Sequence, residues 1–257
     1  MPPPNDAPCF PRGITLTRGL NGRCTLSNPL VQLLTTARNA YDWPAGTGPG
    51  ASQTTILNLE AAVSGYLVAL NPVNAHALTI QVSAWAGNNA NSHAQIVGAT
   101  PAQQTQMQVA ISDLITPGRE CIGVDALCRL AGISLVIASK IYRFCAPTQG
   151  AAIDRHASYF FNSLQVAGGG SATHFGREWA NGRHTTSRLA TYSVTGYAHN
   201  KAEYFSTYLP TISCIAQALN AIPMPYTCAA RNAAMTWSPA DVEMAAYYWW
   251  ANHGASV

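Results

Sequence analysis

The chain has 257 residues, 48% of them hydrophobic and only 10% charged, which is enough length and apolar content to bury a core and excludes a disordered or heavily solvated chain. Its net charge is +3 and its pI is near 8.5, a mild basic balance that permits an anionic partner but falls short of the dense basic surface of strong nucleic-acid binders. No apolar signal segment, transmembrane run or internal repeat is visible, so the expectation is an intracellular protein with no membrane partner.

The first two dozen residues are rich in Pro, Gly and Asn, which disfavour helix and central strand. They predict an irregular arm over 1–50, with one possible short helix from Asn28 to Tyr41 and a linker from Pro44 to Gly50. From 51 to 257 helical patterns take over. Thr54 or Thr55 caps a helix carrying Ile56, Leu59, Val63, Tyr66, Leu67 and Leu70, which Asn71-Pro72 ends. A second helix runs from about Asn74 to Trp85, with Ala77, Ile80, Val82 and Trp85 as its apolar positions, into the turn Ala86-Gly87-Asn88-Asn89. Thr100-Pro101 then starts a helix bearing Met107, Val109, Ala110 and Leu114, and Pro117-Gly118 stops it.

A hairpin follows over about 124–146. Val124, Leu127, Cys128 and Leu130 form an apolar stripe that ends at Gly132, a residue suited to left-handed backbone angles. Leu135, Ala138, Ile141, Tyr142 and Cys145 form the next stripe, until Pro147 and Gly150 end it. Backbone N–H groups at such a turn and at the following helix start lack intrahelical partners and make a seat for a phosphate. An ordinary packing corner between two helices has the same pattern. A third helix begins near Ile153, opening on Asp154, Arg155 and His156.

Beyond it, Gly168-Gly169-Gly170-Ser171 is flexible, and His174 to Arg188 mixes His, Arg, Trp and Thr without periodicity. Helical pattern returns from Tyr192 to Tyr197 and from Asn200 through Tyr204, Tyr208, Ile212, Ile215 and Leu219, with Pro210 bending or breaking it. Ser238-Pro239-Ala240-Asp241 is a helix start with an N-cap hydroxyl, a first-position proline and a carboxylate three residues after the cap. The last helix presents Val242, Ala245, Ala246, Trp249 and Trp250 for packing. These elements predict an all-α fold, a helical bundle of two lobes. The seven cysteines lack close paired spacing and the histidines lack metal-ligand spacing, so the expectation is reduced thiols, no iron–sulfur cluster, no metal and no cofactor.

Leu130-Ala131-Gly132-Ile133-Ser134, with Ala152-Ile153-Asp154-Arg155-His156 beginning 20 residues past the hairpin glycine, resembles the signature of the helix-hairpin-helix DNA glycosylases. The likeness is to those similar to 8-oxoguanine DNA glycosylase, whose hairpin reads L-P-G-V-G, followed by P-V-D-x-H. The resemblance implies two helical lobes around a DNA cleft, with the Trp-rich last helix packed back on the early ones. It assigns Asp154 as the carboxylate that supports departure of a damaged, expectedly oxidised, base. It assigns His156, with Arg155 beside it, to a DNA phosphate, and the backbone of Gly132, Ile133 and Ser134 to the DNA strand.

Two positions depart from the family. Ala131 and Ser134 replace its proline and second glycine, and Val136 stands where bifunctional members carry the lysine that attacks the sugar. Valine is no nucleophile. Lys140 lies one turn further along the same face, either as a shifted amine or as a lysine that snorkels or pairs with an anion. Trp85, Asn88 and Asn89 read either as contacts to an extruded base or as a buried Trp beside a solvated turn. The arginines Arg119, Arg129, Arg143 and Arg155 around the hairpin, with Arg177, Arg183 and Arg188 after it, would form a positive face. The expected activity is monofunctional base excision by a monomer on double-stranded DNA that carries a damaged base. The alternatives are a catalytically silent helix-hairpin-helix protein that binds DNA or a protein partner, and a helical scaffold.

Overall fold

The Ser27 hydroxyl accepts from the Leu30 N–H at 3.4 Å and so caps helix α1 (Asn28–Ala40), and it also accepts from the Thr15 N–H at 3.0 Å. One side chain thereby fixes a helix start and an adjacent strand. In this computed structural model the described residues are 13–19, 23–41, 55–175, 178–179, 192–193, 198–222, 225–228 and 233–253. The expected linker Pro44 to Gly50 lies outside them, as do Arg177, Arg183 and Arg188. The protein is an all-α bundle with small sheets, divided into two compact units.

The second unit, 43–152 with 195–197, is contiguous but for those last three residues. It holds α2 (Ile56–Val68), α3 (Pro72–Trp85), α4 (Ala90–Val97), α5 (Pro101–Leu114), α6 (Glu120–Cys128) and α7 (Leu135–Cys145). Thr55, Asn71, Asn89 and Thr100 each accept from an amide of the helix that follows, and Thr100 with Gln103 forms a reciprocal capping box. Ile56, Leu59, Val63, Leu78, Val82, Met107, Ile111, Leu114, Leu127 and Ile141 fill its core. Val109, among the apolar residues of α5, is 56% exposed. At α5 and α6 the backbones come close: a Cβ on Gly123 would sit 2.6 Å from the Ala110 carbonyl oxygen.

The first unit combines 1–42, 153–194 and 198–257. The irregular arm expected over 1–50 instead supplies two strands here, β1 (Thr15–Arg18) and β2 (Cys24–Leu26), paired antiparallel, and β1 runs parallel to β3 (Gln165–Val166). Single-sequence pattern misses them because the strands are only four and three residues long, too short to show a period, and the second partner of β1, β3, lies far along the chain. Helix α8 (Arg155–Ser163) precedes β3. The Tyr192 to Tyr197 helix expected from pattern is not formed at its start, where β5 (Tyr192–Ser193) pairs with β4 (Glu178–Trp179).

Helix α9 (Ala198–Glu203) runs into a π turn (Tyr204–Tyr208) and α10 (Leu209–Asn220). Pro210 has no N–H to continue the ladder, and the Leu209 N–H reaches back five residues to the Tyr204 carbonyl. The proline thus remodels the helix without breaking it. A hairpin, β6 (Tyr226–Cys228) with β7 (Ala233–Met235), leads to α11 (Pro239–His253). Asp241 satisfies the expected helix start: its Oδ2 accepts from the Ser238 N–H at 2.9 Å and hydroxyl at 2.6 Å. Its Oδ1 accepts from the fully buried Arg38 at 3.0 and 3.1 Å and from the Tyr226 hydroxyl at 2.6 Å.

Cys24 and Cys214 form a disulfide between β2 and α10 across 190 residues. That corrects the expectation of a fully reduced set. Close spacing was the wrong test, because a disulfide requires proximity in the fold and not along the chain. Cys121, Cys128 and Cys145 carry no disulfide bond. Among the described residues no helix is long and apolar enough to cross a membrane.

Candidate functional site

Ala151, Ala152 and Ile153 are buried, and they bring the chain out to Asp154, the N-cap of α8. Asp154 is half-buried; its Oδ1 accepts from the Ala157 N–H at 3.0 Å and its carbonyl from the Ser158 N–H at 2.9 Å. Among the described residues Oδ2 has no hydrogen-bond partner. One oxygen is thus locked in the cap and the other is available. Arg155 is exposed and its Nε donates to His156 Nε2 at 3.1 Å, which makes that ring nitrogen an acceptor. The structure therefore brings Asp154, Arg155 and His156 together at one helix start.

Two tyrosines and a second carboxylate join them, and sequence reasoning missed all three. The His156 ring lies edge-on to Tyr247 of α11 with centroids 5.1 Å apart. Burial pushes the Tyr247 hydroxyl up to about 12, with Asp154 and Glu243 adding to the shift and Arg155 opposing it. Burial also raises Tyr208 well above its ordinary value, helped by Glu243, Tyr204 and Asp154. Each phenol therefore senses both carboxylates and remains a protonated donor. Glu243 and Tyr247 lie one turn apart on α11, and Glu243 is only 6% exposed. A buried acid among Val242, Ala245 and Ala246 was the available signal, since a buried Glu needs a reason to be there.

The hairpin residues belong to the other unit. Helices α6 and α7 pack against each other across a turn in which Gly132 has φ +80°. The Ile133 N–H donates to the Leu130 carbonyl at 3.2 Å. Ser134, exposed at the N-cap of α7, makes no side-chain capping bond, unlike the caps of α1 to α5 and α8. The first amides of α7 are thereby left for another acceptor. Lys140 is half-buried with Nζ 5.8 Å from the Trp85 ring centroid, a cation–π contact within this unit.

Trp85 also meets Phe144 edge-on at 5.1 Å, so its ring serves the packing of α3 on α7. Asn89 caps α4, and Asn88 bonds inside its own loop and to the hairpin. Trp85, Asn88 and Asn89 each therefore have a structural partner within this unit. The expected positive face is also reduced. Arg143 is buried and paired with Glu60 at 2.9 Å, Arg119 pairs with Asp113 at 2.6 Å, and Arg129 pairs with Asp125. No family model, no curated protein and no solved structure matches this chain.

Proposed function

We propose that the protein is a DNA base-excision glycosylase-like hydrolase that removes a damaged, oxidised base, with Asp154 as its active carboxylate. The observation that carries this reading is the divided carboxylate of Asp154, with one oxygen held by the α8 cap and the other open. As the bond between the sugar carbon and the base nitrogen breaks, the sugar becomes cationic and the base leaves with the bonding electrons. A fixed anion beside that carbon stabilises the charge without having to reorganise. Water then forms the new bond to the sugar carbon; its proton is lost to solvent or a basic side chain, and the departing base gains one.

Glu243, Tyr208 and Tyr247 complete the polar surroundings of Asp154, the phenols as donors that stay neutral. Arg155, His156 and the uncapped first amides of α7 beside the Gly132 turn are suited to DNA phosphates. Val136 and the engagement of Lys140 with Trp85 favour hydrolysis over a lysine adduct with strand nicking. The same two features favour, as a second reading, a silent DNA-binding or protein-interaction protein of the helix-hairpin-helix kind.

The test is incubation with duplexes that carry 8-oxoguanine, uracil or alkylated bases, with and without borohydride. Base release abolished in Asp154→Asn, with no trapped adduct, supports hydrolysis. An adduct trapped by wild type and lost in Lys140→Ala restores the lysine mechanism. No release on any lesion, with salt-dependent duplex binding retained, supports the silent reading.

A further inference from the structure

Asn88 lies between α3 and α4, and its surroundings fix which way its amide faces. Its Oδ1 accepts from the Asn89 N–H at 3.0 Å, so the donors of Nδ2 point the other way. Nδ2 donates to the Gly132 carbonyl at 3.3 Å, across 44 residues, and to the Ser83 hydroxyl at 3.1 Å. Ser83 is fully buried, and its Oγ lies 3.1 Å from His93 Nδ1 on α4. Because Ser83 accepts from Asn88, its own proton is free to go to His93. The result is a three-member relay behind one carbonyl of the hairpin turn.

That carbonyl belongs to the peptide joining Gly132 to Ile133, and the N–H of the same peptide donates to Leu130. The plane is held at both ends. It is also held from the side: a Cβ on Gly132 would lie 2.2 Å from the Ser92 carbonyl oxygen at the start of α4. The next residue is Ser134, where the open amides of α7 begin. Those amides begin within two residues of the Gly132–Ile133 peptide, so holding that peptide in place limits how far the start of α7 can shift.

We propose that Asn88, backed by Ser83 and His93, is a positioning residue for the phosphate-binding amides of the hairpin, acting through the Gly132 carbonyl and touching no DNA itself. The inference rests on the reading that those amides take a DNA phosphate, so it is tested with and without DNA. Asn88→Asp keeps shape and volume but replaces the donor with a carboxylate that repels the Gly132 carbonyl; Asn89→Asp is the control, since aspartate caps α4 as asparagine does.

In the free full-length protein, hydrogen exchange over 131–136 is expected to be about tenfold faster in Asn88→Asp and unchanged in Asn89→Asp. Unchanged exchange in Asn88→Asp overturns the brace whatever the protein binds. With undamaged duplex DNA, Asn88→Asp is expected to weaken binding about tenfold or more, the factor of one lost hydrogen bond to a charged group. Base release at saturating DNA is expected to stay at the wild-type rate. Wild-type affinity in Asn88→Asp, or a loss of release rate at saturation in place of affinity, overturns the positioning role. Failure of wild type itself to bind duplex overturns the phosphate reading, while the exchange result still decides the brace.

Discussion

Asp154 caps α8 and, in the proposed function, supplies the active charge, two jobs that a substitution can separate. Asparagine retains an oxygen that accepts from the Ala157 N–H but lacks the charge. Asp154→Asn is therefore expected to keep the thermal midpoint within a degree or two and to lose base release by about a hundredfold or more, measured by single-turnover kinetics. Asp154→Ala loses the cap as well, at a cost of about 1 kcal/mol in urea unfolding. Burial raises Tyr247 to about 12 from 10.0, and also Tyr142, for which Glu120 adds to the effect; burial alone raises Cys145 to about 12 from 9.0. In each case the native state holds its proton longer than the unfolded chain. Stability is then fully present below pH 9 and lost as pH rises from there through about 12, which alkaline unfolding followed by tyrosinate absorbance checks.

Among the elements, α11 is tied to α1 by a buried ion pair, Arg38 to Asp241, with the Tyr226 hydroxyl on the same oxygen and the Arg38 guanidinium 4.5 Å from the Tyr226 ring centre. Removing one partner leaves a buried charge, so Arg38→Ala is expected to destabilise by about 3–5 kcal/mol in denaturant unfolding, far more than loss of an exposed pair. Gly132→Ala is expected to distort the hairpin, because the new methyl would meet the Ser92 carbonyl at a left-handed φ. Its readout is lost protection over 131–136.

Most helices were legible in the sequence because their starts are local: Ser27, Thr55, Thr100 and Ser238-Pro239 are signals whose partners lie three residues away. Helix α4 escaped notice because it spans eight residues and buries only Ile96, too short a stripe to show a period. Asp154 and His156 were singled out through resemblance alone. Glu243 and Tyr247 were not, since their approach to Asp154 depends on the packing of α11 against α8 and no spacing along the chain encodes it.

For the molecule as a whole, the Cys24–Cys214 disulfide is the longest covalent constraint among the described residues. Both cysteines are half-buried and within reach of a reductant. Dithiothreitol, or Cys24→Ser with Cys214→Ser, is expected to remove roughly 4 kcal/mol by widening the unfolded ensemble, with the loss read as a lower thermal midpoint. Such a bond persists where the surroundings are oxidising, and in a reducing cytosol the protein would work without it. A midpoint indifferent to reductant would show that the sheet and α10 hold together without the sulfurs.

The first unit draws on both ends of the chain, while almost all of the second lies between them. A ribosome therefore delivers 43–152 complete while α1, with its buried Leu30 and Leu34, still awaits α11. A nascent chain stalled before Pro239 would carry greasy, unburied α1 residues and attract chaperones, so the cost of premature termination falls on the half of the protein that was made first.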